Sequence, residues 1–283
     1  MGDRKQQETG CPVMDKAKKI KTGVMMETTD VKGFLIDLDG VLYTGDVPIT
    51  GAQKALSFLT DQGYTFRCVS NSTRKCRAAI AARLEKMGFD IPARMIFTPP
   101  VAAVRYMQET GKHRAYLLTT EDVEQDFTGT CVDDGSTTVD YVVVGDAGDR
   151  VTYASMNHAF RCLMNGAGLI ALEKDRYWMA HDGLSLSAGP FVTALESATG
   201  KIATVVGKPS KAFFDLALRD MGLEAGSVVM IGDDIFTDIG GAQAVGMQGV
   251  LVQTGKFRKE ILDLADVKPD AVICSIRDLG SIL

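Results

Sequence analysis

The sequence is poor in the residues from which soft-metal sites and disulfide frameworks are built. Histidine occurs only at His113, His158 and His181, with no two at ligand spacing, so a zinc site would lack ligands. The six cysteines (Cys11, Cys68, Cys76, Cys131, Cys162 and Cys274) form no Cys-x-x-Cys pair and no dense short-loop pattern. In a chain of 283 residues that usage fits a reducing compartment, hence a cytoplasmic protein with buried or incidental thiols. No apolar run reaches the roughly 20 residues of a membrane span. Residues 1–30 lack the apolar stretch of a secretory signal, and their acidic residues beside a lone Arg4 disfavour a transit peptide. This segment reads as a disordered polar tail. Positive charge is not in excess either: 31 Lys and Arg stand against 36 Asp and Glu, a net charge of −5. Such a surface repels polyanions on average, so neither nucleic acid nor a membrane is an expected partner, while a local basic pocket for a small phosphate is allowed.

What is present is ordinary globular material, 46% apolar and 24% charged, long enough to bury a full core. The first strong strand is Phe34-Leu35-Ile36, apolar on both faces as in the middle of a parallel sheet. A helix over 52–62 follows, with Ala55, Leu56 and Leu59 on one face, then a strand over 64–69 and a helix over 75–87 closed by Gly88. The same β-α alternation returns late: strand 203–206, helix 211–221, strand 228–231, a small helix through Ala242, and strands 249–252 and 271–273. Between these halves lie other strands (115–118, 141–144, 169–171) and a helix over 153–164. The pattern predicts an α/β protein: a Rossmann-like doubly wound parallel sheet, discontinuous over 31–112 and 201–283, with an inserted α/β domain over 113–200.

Ligands of α/β sheets bind beyond the carboxyl ends of the strands. Four polar clusters stand directly after strands here: Asp37-Leu38-Asp39, Ser70-Asn71, Gly207-Lys208 and Asp233-Asp234. Together they bring carboxylates, a hydroxyl, an amide and an ammonium to one cleft. Carboxylates so crowded need a cation, since like charges raise one another's pKa. Oxygen ligands without His or Cys point to Mg²⁺. One carboxylate of such a set can attack phosphorus, and another can protonate the leaving oxygen and then activate water. Mg²⁺ and the lysine would neutralise charge on the transferring group, while Ser70 and Asn71 hold its other oxygens.

The runs Asp37-Leu38-Asp39-Gly40-Val41-Leu42-Tyr43, Ser70-Asn71-Ser72-Thr73, Gly207-Lys208-Pro209-Ser210 and Gly232-Asp233-Asp234-Ile235-Phe236-Thr237-Asp238 resemble the ordered motifs I to IV of the haloacid dehalogenase (HAD) superfamily. The insertion between the second and third resembles the C2 cap of its type IIA branch, which includes 4-nitrophenyl-phosphatase-like enzymes. The resemblance covers about residues 31–283. It implies an HAD-like core with a C2 cap and a phosphatase working through an aspartyl-phosphate. Asp37 would be the nucleophile and Asp39 the acid/base, with Ser70, Asn71 and Lys208 gripping phosphate. Mg²⁺ would be bound by the Asp37 carboxylate, the Asp39 backbone carbonyl and Asp233, and oriented through Asp234 and Asp238. The second aspartate of motif I, lost in some relatives, is kept as Asp39, which favours turnover over mere phosphate binding. The implied partner is a small phosphorylated metabolite, and cap-mediated homodimers occur among similar proteins.

An EF-hand would want its glycine at position six, not four, and Gly207-Lys208-Pro209-Ser210 lacks the upstream glycine of a Walker A loop. Gly166-Ala167-Gly168 follows a helix rather than a strand and reads as a helix stop. In the cap, Lys174, Tyr177, Trp178 and His181 precede a turn at Asp182-Gly183 and are candidates to choose substrates, against an ordinary hairpin with a packed Trp. Two alternatives to hydrolysis remain: phosphoryl transfer by the same site, and a non-catalytic phosphate-binding module.

Overall fold

The computed structural model describes residues 30–283 except 133, 134 and 181. The polar segment expected as a tail therefore lies, apart from Asp30, outside the described residues, as does His181. Six parallel strands form the main sheet in the order Ala271–Ile273, Gln248–Val252, Val228–Gly232, Gly33–Asp37, Thr65–Val69, Ile96–Phe97. Gly33–Asp37 is central and wholly buried, as its apolar run on both faces requires. From it the chain winds outward one way through Thr65–Val69, and later the other way from Val228–Gly232. The reversal lies between those two neighbours of the first strand, where a doubly wound sheet opens a crevice.

Alternation along the central strand feeds two cores. Phe34 and Ile36 pack with Leu59, Phe66, Val229 and Ile231 on one face. Leu35 packs with Val69, Met230, Phe213 and Phe214 on the other. Helix Ala52–Asp61 buries Ala52, Ala55, Leu56 and Leu59, the expected face. Helix Lys211–Met221 starts under a side-chain cap from Ser210 and stops at Gly222 (φ +67°).

The inserted cap is built on a second parallel sheet in the order Thr204–Val205, Gly168–Ala171, Tyr141–Val144, Arg114–Leu118, Cys131–Val132. One of its faces (Val142, Val144, Leu169, Ala171) packs on helices Tyr153–Met164 and Gly189–Thr199. The other (Leu117, Tyr141, Val143, Ile170) runs into the second core cluster. The strand expected at 203–206 in the main sheet is Thr204–Val205, and it pairs with Gly168–Ala171 in the cap sheet instead. That sheet thus extends past residue 200. Two residues carry no period, so their partner could not be read from the pattern. A hairpin, Tyr177–Ala180 with Gly183–Leu186, rises from the cap. Among the described residues no helix is long and apolar enough to cross a membrane.

Candidate active site

The register of the main sheet assembles the site. Asp37 is the last residue of the central strand and lies opposite Val69, so Ser70 and Asn71 begin where the neighbouring strand ends. On the other side Ile36 faces Ile231, which puts Asp233 just beyond the same edge. Lys208 arrives from the loop before helix Lys211–Met221 and is buried. Its Nζ lies 2.5 Å from Asp37 Oδ1 and 2.6 Å from Asp238 Oδ1. Asp37, Asp233 and Asp238 each bring a carboxylate oxygen within 4.8 Å of the others. Four charged groups thus occupy one pocket that is 1–8% exposed at each residue.

Such crowding has electrostatic consequences. Burial pushes the Asp37 carboxyl up to about 7, against the pull of Lys208 and with help from Asp238 and Asp233. Asp233 rises to about 6, mainly through burial, although it accepts a hydrogen bond from the Lys256 amide. Burial alone would lower the Lys208 ammonium, but Asp238 and Asp37 override it and hold the lysine charged. Two carboxylates raised in this way are the signature of a site short of positive charge. The donor set, all carboxylate with no His or Cys, fits a hard divalent cation. Asp238 belongs to the trio by distance, yet both its oxygens are engaged, Oδ1 by Lys208 and Oδ2 by the Asp234 amide. That leaves Asp37 and Asp233 as the carboxylates with capacity for a metal, and Asp238 as the group that orients Lys208.

The remaining sequence candidates fall into place with different jobs. Asp234 caps the π-helical turn Ile235–Gly240: its Oδ1 accepts from the Phe236 and Thr237 amides, both at 3.0 Å. Asn71 uses its side-chain amide on the backbone of Lys208, donating to the carbonyl (2.9 Å) and accepting from the N–H (2.8 Å). It fixes the lysine's loop, a role that sequence position alone did not suggest. Ser70 is partly buried, and its hydroxyl accepts the Ser72 amide at 3.2 Å. Asp39 is exposed.

In the cap, Lys174 pairs with Glu196 at 2.7 Å. Adjacent strand residues face opposite ways, so Tyr177 and Trp178 cannot serve the same surface. Tyr177 lines an outer cleft with Leu186 and Pro190, whereas Trp178 lies over the guanidinium of Arg74, 5.6 Å from ring centroid to Cζ. Only Trp178 of the two meets the core.

Sequence reading missed the loop Thr254-Gly255-Lys256. It follows strand Gln248–Val252, so the strand-end rule that found the other clusters would have found it too. A Cβ on Gly255 would sit 2.0 Å from Asp233 Oδ2, and one on Gly40 1.9 Å from the same oxygen. Both glycines have positive φ (+62° and +88°), so the Asp233 carboxylate rests on two positions that only glycine fills comfortably. Thr254 Oγ1 donates to the Gly40 carbonyl and ties the two loops together.

Comparison with known proteins finds relatives along most of the chain. Residues 34–130 match the model of the haloacid dehalogenase-like hydrolases, and residues 205–279 an HAD-hydrolase-like model. The chain is 46% identical to human haloacid dehalogenase-like hydrolase domain-containing protein 2 over 228 residues, 81% of this chain and 86% of that one. It is 39% identical to human phospholysine phosphohistidine inorganic pyrophosphate phosphatase over 259 residues, 89% and 94% of the two chains. Among solved structures, p-nitrophenyl phosphatase from Archaeoglobus fulgidus superposes with a TM-score of 0.81 at 30% identity, covering 90% of this chain and all of that one.

Proposed function

The chain belongs to the haloacid dehalogenase-like hydrolases, and we propose that it is a Mg²⁺-dependent phosphatase that hydrolyses small phosphomonoesters through an aspartyl-phosphate on Asp37. The observation that carries this reading is the buried contact of Lys208 with Asp37, beside Asp233, at the carboxyl edge of the central strand. Two of the similar proteins above are named as phosphatases.

Asp37 and Asp233, with the Asp39 backbone carbonyl, would hold the cation. Bound there, Mg²⁺ would supply positive charge to the phosphoryl oxygens and keep Asp37 ionised. Asp37 attacks phosphorus in line and the ester oxygen leaves. Asp39, exposed and two residues along, protonates that oxygen and afterwards takes a proton from the water that hydrolyses the acyl phosphate. Lys208, held charged by Asp238 and aimed by Asn71, binds a phosphoryl oxygen through the transition state. Ser70 offers a hydroxyl at the same edge.

Release of phosphate from 4-nitrophenyl phosphate tests the reading. Turnover is expected with Mg²⁺, loss with EDTA, and a fall of about a thousandfold or more in Asp37→Asn. Activity surviving in that variant would overturn the mechanism.

A further inference from the structure

The core loop that follows Ser70–Thr73 is gripped by the cap at four consecutive residues. Arg74 pairs with Asp146, Lys75 with Asp122, and Arg77 with Asp126, while the Cys76 amide donates to Asp122. The Lys75 side chain is largely exposed, whereas Arg77 and Arg74 each reach a buried cap carboxylate. Asp146, the partner of Arg74, stands two residues beyond cap strand Tyr141–Val144. The neighbouring cap strand ends at Ala171, opposite Val144, and the carbonyl of the next residue, Leu172, crowds Gly207 next to Lys208. Adjacent strands lie about 4.8 Å apart, so Arg74 and Gly207, the residue before Lys208, meet the cap at neighbouring strand ends.

The guanidinium is only partly used. Nη1 donates to both Asp146 oxygens at 3.2 Å, and Trp178 covers one face of the group. Among the described residues, Nη2 and Nε have no acceptor, and the side chain is 46% exposed. An arginine held by a carboxylate at one nitrogen and roofed by an indole is fixed in orientation. Its remaining N–H groups lie in the plane of the fork, the geometry that meets a carboxylate or phosphate edge-on.

We propose that Arg74 is a specificity residue that receives a second acidic group, a carboxylate or a second phosphate, carried by the leaving group of the substrate. The inference rests on the phosphatase reading above. The preferred substrates are then phosphomonoesters whose leaving group is itself anionic, gripped at one end by Lys208 and at the other by Arg74, with Trp178 closing over the guanidinium.

A matched substrate series tests this with the full chain: phenyl phosphate, its 2-, 3- and 4-carboxy derivatives, and inorganic pyrophosphate. Wild type is expected to favour at least one acidic member. Arg74→Ala is expected to raise KM for that member about tenfold at similar kcat, and to leave KM for phenyl phosphate within about twofold. Arg74→Lys, which keeps charge but not the fork, should recover part of the difference. Equal losses on neutral and acidic substrates would mean that Arg74 only holds the cap, and would overturn the proposal, as would no loss on either. A wild type blind to the carboxylate would overturn it as well. Failure of the phosphatase reading itself looks different, because 4-nitrophenyl phosphate would also go unhydrolysed.

Discussion

The floor of the cleft and the cap hairpin above it are both rich in polar groups, but they are built on opposite terms. On the floor, Asp37, Lys208, Asp233 and Asp238 are buried; Lys208 bridges Asp37 and Asp238 by charged hydrogen bonds, and Asp233 is pressed against Gly40 and Gly255. In the hairpin, Tyr177, Met179, Leu184 and Leu186 are more than half exposed. Its anchorage lies at its base: Glu173, buried at the end of a cap strand, accepts from the Ser187 hydroxyl and the amides of Asp175 and Ala188, on either side of the hairpin. A site that stabilises a reacting charge needs groups that cannot move away from it. The hairpin is held at its root, and its outer residues are left to solvent.

Exchanging the same chemistry between the two regions should expose the difference. Lys208→Met strands two buried carboxylates and is expected to cost about 3–5 kcal/mol of stability at pH 8, besides activity. Lys174→Met breaks a pair of similar length to Glu196 on the cap, yet should cost less than about 1 kcal/mol because that lysine is solvated. Chemical denaturation of both variants checks the contrast, and equal losses would erase it.

A second contrast separates the regions by pH. Because Asp37 titrates near 7 when folded, above its ordinary 3.8, the folded chain holds a proton that the unfolded chain gives up between those values. Without metal, the stability of wild type relative to Asp37→Asn should therefore fall as pH rises from about 4 to 7. Added Mg²⁺ should raise the melting temperature more at pH 7.5 than at pH 5. A pH-independent difference between the two proteins would contradict the burial argument. The smallest change is expected from Trp178→Ala, which removes a cation–π contact of about 0.5–1 kcal/mol and should leave the melting temperature almost unmoved.

Much of the floor was legible because it follows strand ends in order. Helix Lys211–Met221 and strand Ala271–Ile273 fall on their expected boundaries, since a 3.6-residue or all-apolar pattern reports its own element. Helix Pro99–Glu109 went unread even though Thr98-Pro99-Pro100 is a good helix start. It buries residues around much of its circumference, so no single apolar stripe marks it.

By itself, then, the sequence determined the order of the polar clusters and the strands that carry them, and with these the doubly wound fold and the kind of chemistry. Those signals are local, a strand and the residues just past its end. Tertiary structure alone decided that Thr204–Val205 joins the cap sheet, that Asn71 serves the Lys208 backbone, that Trp178 rather than Tyr177 faces the core, and that Arg74 keeps N–H groups to spare. Each of these depends on which distant group stands opposite, and hydrophobic periodicity records only that a face is covered, not by what.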